Sequence, residues 1–445
     1  MEALKLFPFQ AEGAVWLADR QRALLADEQG LGKTVQAIVA ADTAGHWNVL
    51  VVCKAVAKTN WMREFDRWSF ADRRVQIPGT GDRFDPRADL TILNYDIVHR
   101  PGVLRQLVRG RWDLLIADEM HSVKGGLDTK RGQVLLHEQL GLVGRCNAVW
   151  GLSGTPAPNH AGDLYAWLQA NHPEAVADLP NYHDFLNRYC RWINTDRGPR
   201  IFGNKKGAGA ELRRLLAPIM LRRKRTEVLP QLPDLSVDTL PVDSRVSPEL
   251  KALEQHPDVA AVREVLLAVE VDANPDAWER VAELDLGTYR RLTGLAKVEA
   301  VAELVRDELS GGQDKIVLMA WHRDVIDKLT ELLSEYGAMS IHGGTSNTQK
   351  QLAIDSFQRQ STGCRVIVGN IQTAGTSITL TAANRLLFVE SSYVPGDNEQ
   401  AMLRILRIGQ TRACRVSFTA LAGTTDEIVQ RVYARKAQML SEFIE

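Results

Sequence analysis

Chemistry concentrates first in Ala26-Asp27-Glu28-Gln29-Gly30-Leu31-Gly32-Lys33-Thr34, which follows an apolar strand-like run and opens a helical pattern from Val35 to Ala41. Gly30 and Gly32 let backbone N–H groups close around phosphate oxygens at the positive end of that helix. Lys33 is of the type that reaches β and γ phosphates, and the Thr34 hydroxyl is of the type that ligates Mg²⁺. The common form of this loop begins on glycine, where Asp27 stands here. Two carboxylates, Asp118 and Glu119, follow the buried-strand run Leu114–Ala117. Ligands of open α/β sheets lie beyond the carboxyl ends of such strands. There Asp118 would hold Mg²⁺ through water and Glu119 would orient and deprotonate an attacking water. A third strand-like run ends in Ser153-Gly154-Thr155-Pro156, whose small hydroxyls can exchange hydrogen bonds between nucleotide-bound and free states. Gln10 sits near the first helix, and a glutamine amide can pair both edges of adenine.

These groups need a scaffold, and the sequence supplies two. Short apolar runs at 23–26, 49–53, 91–94, 114–117 and 148–152 alternate with helical patterns. A second series lies at 316–319, 365–369, 386–389 and 416–419. Continuous apolar strands alternating with helices imply parallel sheets covered on both faces, hence two α/β lobes. The stretch between them reads as mainly helical and is punctuated by Pro218, Pro230, Pro233, Pro241 and Pro257. We therefore expect a first lobe over 1–160, a helical insertion over 161–295 and a second lobe over 296–445. Thr424-Thr425-Asp426-Glu427 has capping-box spacing ahead of a last helix.

Composition excludes several classes. Five dispersed cysteines (Cys53, Cys146, Cys190, Cys364 and Cys414) argue against a disulfide framework or a cysteine-rich zinc site. Apolar runs such as Ile316–Ala320 are too short to span a bilayer, and the start has no secretory layout. A soluble intracellular protein is expected. Net charge is −1, so no global basic signal marks a polyanion. Locally, eight basic residues between Lys205 and Arg225 oppose only Glu211, a candidate DNA-facing cluster, whereas seven acidic residues lie between Val262 and Asp285.

In order and over almost the whole chain, these motifs resemble the Swi/Snf-related ATPases of helicase superfamily two. Asp27–Thr34 is similar to the family's Asp-Glu-Met-Gly-Leu-Gly-Lys-Thr box, where an aspartate is normal, and Gln10 falls where the family reads adenine. Cys53 with Asn60-Trp61, then Asn94-Tyr95-Asp96, Asp118–His121 and Ser153–Asn159 follow in register; Lys54 replaces a usual proline. Met220–Pro233 is similar to a segment peculiar to Swi/Snf proteins. Gly294–Lys297, Ile341–Gly344, Thr373–Asn384 and Gln400–Gln410 resemble the second-lobe motifs. The family commonly has acidic residues at Met402 and Leu403 and histidine at Leu406.

The resemblance implies two RecA-like lobes, ATP and Mg²⁺ as ligands, and a motor on double-stranded DNA that need not separate strands. Arg404 and Arg407, three apart and expected on one helix face, would act as arginine fingers on the γ-phosphate. Backbone grips on DNA are expected at Lys54, Thr59, Asn60, His342, Gly343, Thr373 and Gly375. Coupling between nucleotide and DNA falls to His121, Thr155 and Gln410. The compact size and Gly294–Lys297 resemble the branch that anneals or remodels forks. A monomeric core is expected, with a protein recruiter and no membrane contact, in the nucleoid or cytoplasm of a bacterial or phage system or in a eukaryotic nucleus. Two rival readings are a strand-separating DNA or RNA helicase and a DNA-binding scaffold with residual ATPase.

Overall fold

The computed structural model describes residues 5–137, 141–196, 198–229, 233–271, 286–360, 363–374 and 378–442. The chain forms two compact units, Met1–Val228 and Leu229–Glu445.

The first unit is built on a seven-stranded parallel sheet. Its strands are β1 (Arg22–Leu25), β2 (Val49–Cys53), β3 (Val75–Gln76), β4 (Leu90–Asn94), β5 (Trp112–Asp118), β6 (Cys146–Leu152) and β9 (Met220–Leu221). Their order is β3-β4-β2-β5-β6-β1-β9. Strand periodicity of two assigns alternate side chains to opposite faces. Leu24, Leu50, Val52, Leu115 and Val149 join one core, while Ala23, Leu25, Val49, Val51, Leu114 and Trp150 join the other. An antiparallel hairpin, β7 (Cys190–Thr195) with β8 (Gly198–Asn204), stands as a separate two-stranded sheet.

The second unit holds β10 (Leu235–Val242), β11 (Ile316–Ala320), β12 (Met339–Ile341), β13 (Val366–Asn370), β14 (Arg385–Phe388) and β15 (Cys414–Leu421). They form a parallel sheet in the order β10-β15-β14-β11-β13-β12. Both faces are again covered: Ile316, Leu318, Val366 and Leu387 pack on one side, Val317, Met319, Ile367, Leu386 and Phe388 on the other. The two α/β lobes expected from the apolar runs are present, and all five cysteines are free and buried.

The expected division at 160 and 295 is replaced by one at 228/229. Sheet membership explains the change. The middle stretch is not a separate helical piece, because β9 hydrogen-bonds to β1 and β10 to β15. β10 escaped the sequence reading because Pro241 looks like a breaker; β10 is an edge strand, where a missing N–H is tolerated. Most of the acidic stretch ending at Asp285 lies outside the described residues. Among the described residues no helix is long and apolar enough to cross a membrane.

Gly294 and Lys297 lie within the helix Gly287–Ser310, and both are there for packing. A Cβ at Gly294 would sit 2.8 Å from the Glu390 side chain. The Lys297 ammonium is buried and donates to Asp426 Oδ2 at 2.8 Å and the Thr419 carbonyl at 2.9 Å. This ties the helix to β15 and to the last helix, Thr425–Glu442. Breaking a buried pair from one side strands a charge, at a cost of about 3–5 kcal/mol. Lys297→Met is therefore expected to lower the unfolding free energy measured in urea by about that much, seen as a lower midpoint, and adding Asp426→Leu to recover most of the loss. Equal midpoints for Lys297→Met and wild type would show that the pair carries no stability.

Candidate active site

In the first unit the glycine loop turns from β1 into helix α2 (Lys33–Thr43). Gly30 and Gly32 have φ of 86° and 76°, the left-handed region that glycine enters without steric cost. A Cβ at Gly32 would meet Gln10 Nε2 at 2.4 Å. The loop is thus in contact with the side chain expected at adenine. Gln10 lies in the first turn of helix α1 (Pro8–Ala18) rather than ahead of it. Its amide donates to the Leu31 carbonyl at 3.3 Å and accepts the Phe7 N–H at 3.1 Å. Lys33 Nζ donates to the Asp27 and Glu28 carbonyls at 2.7 and 3.2 Å, oxygens that hold the ammonium over the loop. Thr34 follows it at the helix N-terminus, beside the N–H groups that suit a phosphate.

Asp118 ends β5, and Glu119 follows with φ 52°, the one non-glycine with positive φ among the described residues. Such backbone costs about 1–3 kcal/mol and gathers at functional sites. The turn brings Glu119 Oε2 to 3.3 Å from Ser153 Oγ and 3.4 Å from His121 Nδ1. Ser153 Oγ also lies 3.0 Å from His121 Nδ1 and accepts the Thr155 N–H at 3.2 Å. Burial holds the His121 pKa below its ordinary value, which favours a neutral imidazole. Asp118 moves the other way, up to about 6, through burial and then the neighbouring Glu119, against the Trp61 hydrogen bond, Lys33 and Lys54. Trp61 Nε1 donates to Asp118 Oδ2 at 2.8 Å, and the Tyr95 hydroxyl donates to the Asp118 carbonyl at 2.8 Å. A carboxylate is a hard oxygen donor of the kind that a divalent cation takes. Lys54 at the end of β2, with Thr59 and Asn60 in helix α3 (Lys58–Trp68), completes the set at the carboxyl edge of this sheet.

The second-unit motifs likewise follow strand ends. His342 and Gly343 come after β12; His342 Nδ1 accepts the Gly344 N–H at 3.1 Å, and a Cβ at Gly343 would meet nothing. Thr373 follows β13, its N–H bonded to Asn370 Oδ1 at 3.1 Å, and Gly375 lies outside the described residues. Arg404 and Arg407 do not share a helix face. The helix Pro395–Met402 stops before them, and both sit in the turns that follow. They converge all the same, because Arg404 Nη1 and Arg407 Nη1 donate to one acceptor, the Ile378 carbonyl, at 3.3 and 3.5 Å. Gln410 is buried: its Nε2 donates to the Thr381, Ala383 and Ile405 carbonyls, and its Oε1 accepts the Thr411 and Arg412 N–H groups. Five backbone groups around the arginine-bearing turn thus hold this one amide. Met402, Leu403 and Leu406, the departures from the family pattern, are all buried in the core.

A model of the SNF2-related domain matches residues 9–245, and one of the helicase conserved C-terminal domain matches 296–409. The chain belongs to the SNF2-related family. It is 30% identical over 447 residues to the Xenopus tropicalis SWI/SNF-related matrix-associated actin-dependent regulator of chromatin subfamily A-like protein 1, covering 98% of this chain and 45% of that one. It is 29% identical over 447 residues to the human DNA annealing helicase and endonuclease ZRANB3, covering 98% and 40%. The chain spans less than half the length of these curated relatives. A solved Sulfolobus solfataricus SWI2/SNF2 ATPase core in complex with dsDNA is 23% identical, with TM-score 0.45, covering 99% of this chain and 93% of that one.

Within this SNF2-related chain three features go beyond what the sequence indicates. Ser153 is the hub of the Glu119–His121–Thr155 network, although Thr155 drew the attention. Trp61 and Tyr95 brace Asp118. The basic cluster divides: Lys205, Lys206, Arg213, Arg214, Arg222 and Lys224 are exposed, although Arg222 Nη1 bonds the Ala26 and Gly154 carbonyls, both at 3.1 Å, whereas Arg223 is half-buried and Arg225 is buried. Arg223 binds Asp27, whose carboxylate Gln36 also contacts, so the Asp27 side chain holds the shape of the loop. No property of a basic run distinguishes outward from inward arginines; the adjacent apolar Met220 and Leu221, which form β9, were the available signal.

Proposed function

We propose that this chain is an ATP-driven motor that moves along double-stranded DNA without needing to separate its strands. The observation that carries the reading is the left-handed Glu119, set after the Asp118-bearing strand in a unit whose glycine loop presents Lys33. Family membership supports it independently. Lys33 and Thr34 hold the phosphates; Thr34, and Asp118 through water, hold Mg²⁺, which neutralises phosphate charge when bound. Gln10 orients adenine, and Glu119 accepts the proton of the attacking water. Arg404 and Arg407 supply positive charge to the γ-phosphate from the second unit. Lys54, Thr59, Asn60, His342, Gly343, Thr373 and Gly375 grip the sugar-phosphate backbone, and His121 and Thr155 relay nucleotide state. The whole-protein role suggested by the relatives, fork remodelling or strand annealing, belongs to this proposal, as does action wherever genomic DNA resides.

The test is ATP-driven displacement of a third strand from duplex DNA, with Glu119→Gln as the control. It reads movement and does not require unwinding; displacement equal to that of the control would end the motor reading. Backbone contacts carry no sequence information. Duplex affinity is accordingly expected to fall with log salt at about −0.9 per phosphate neutralised, with little difference between sequences. A gel-shift affinity indifferent to salt would contradict the proposed backbone grips.

A further inference from the structure

The guanidinium of Arg223 is heavily engaged in the first unit's nucleotide region, and the mechanism above gives it no part. Its Nε and its own backbone N–H both donate to Asp27 Oδ1 at 3.0 Å, and Nη2 contacts Asp27 Oδ2. Nη2 also donates to Gln36 Oε1 at 2.8 Å, and Nη1 donates to the Phe9 carbonyl. The Asp27 side chain is fully buried and that of Arg223 is 13% exposed. Three elements therefore meet on one side chain. Phe9 belongs to helix α1, which carries Gln10; Asp27 opens the phosphate loop; Gln36 belongs to helix α2. The fit has no slack, because a Cβ at Gly13 in α1 would lie 1.9 Å from Gln36 Oε1 and 2.6 Å from Arg223 Nη2. The neighbours extend the same contact. Arg222 joins the Ala26 and Gly154 carbonyls, and the Arg225 N–H donates to Glu28 Oε2 at 2.8 Å. Val228, the last residue of this unit, lies only a few residues on.

We infer that Arg223 is a positioning residue for nucleotide binding: acting through Asp27, it fixes the phosphate loop relative to the adenine-side helix at the point where the chain leaves for the second unit. A planar fork with several donors can satisfy Asp27, Gln36 and Phe9 together, whereas a lysine ammonium on a flexible stem cannot. The inference rests on the proposed nucleotide site.

The experiment uses the full chain and measures three quantities for each variant: equilibrium affinity for a fluorescent ADP, affinity for duplex DNA without nucleotide, and the thermal midpoint. Arg223→Ala and Arg223→Lys are both expected to weaken nucleotide binding by about 10-fold or more. DNA affinity should stay within about two-fold in both, since an additive, site-confined change does not spread to distant contacts. Asp27→Asn should give the same defect, and the Arg223→Lys/Asp27→Asn pair should be no worse than either alone. Wild-type nucleotide affinity in the Arg223 variants overturns the inference. So does a parallel loss of nucleotide affinity, DNA affinity and thermal midpoint, which would make Arg223 a general fold residue. Lys33→Ala tests the underlying site separately: if it binds nucleotide normally, the site itself is misplaced, whatever Arg223 does.

Discussion

Arg407→Ala is expected to lower DNA-stimulated ATP turnover by about 10³-fold or more while leaving nucleotide and duplex affinity nearly unchanged. The reason is the difference between ground-state and transition-state charge: a guanidinium that meets the γ-phosphate only as charge develops contributes to turnover and little to binding. The local structure favours Arg407 over Arg404 for a clean measurement. Arg404 is 7% exposed and donates from Nε to the Gln400 carbonyl at 2.8 Å, so truncating it also disturbs the turn. Arg407 is less buried and donates to the Ile378 carbonyl and to Thr379 Oγ1, the latter at 3.1 Å. Arg407→Lys should restore little, because a point charge cannot reproduce the planar fork. Turnover of Arg407→Ala within a few-fold of wild type would remove the second unit from the chemistry. The scaffold alternative would then gain, since a second unit without a catalytic part is what it requires.

How far the sequence disclosed this arrangement depended on range. Runs such as Val49–Cys53 and Ile316–Met319 announced their strands because both faces of a parallel sheet are buried, leaving no polar alternation to confuse the pattern. Two- and three-residue strands such as β9 and β12 carry too little pattern to register, and β10 was hidden by its proline. Motif residues appeared in the right lobes because local spacing specifies a loop or a strand end. What local spacing could not convey was the partner across the fold. Asp27 read as part of a ligand loop and is held by Arg223, 196 positions away. Gln410 read as a relay, and the contacts that fix its amide are backbone groups on either side of the arginine-bearing turn. Arg404 and Arg407 read as helix neighbours and instead meet at a carbonyl. In each case the residue type permitted either role, and a tertiary contact made the choice. The buried Met402, Leu403 and Leu406 show the same logic: their apolar side chains join the second unit's core.

Glu119→Gln is expected to reduce ATP hydrolysis by about 10²–10⁴-fold, the usual worth of a positioned general base. Nucleotide affinity should persist or rise slightly, because one negative charge facing the phosphates is removed while Lys33, Thr34 and the loop N–H groups remain. The geometry makes the substitution conservative: the amide can still accept from Ser153 Oγ, and the left-handed backbone is a property of the turn after β5, which Gln tolerates about as well as Glu. Asp118 supplies an internal contrast. Asp118→Asn loses the carboxylate proposed for Mg²⁺ and should weaken Mg²⁺-dependent nucleotide binding as well as turnover, so the two neighbouring carboxylates separate by which quantity falls. Ser153→Ala, which removes the hydroxyl between Glu119 and His121, should fall between wild type and Glu119→Gln in turnover, without the binding loss of Asp118→Asn. If Glu119→Gln hydrolyses ATP at the wild-type rate while Asp118→Asn does not, the base lies elsewhere and the left-handed turn serves packing alone.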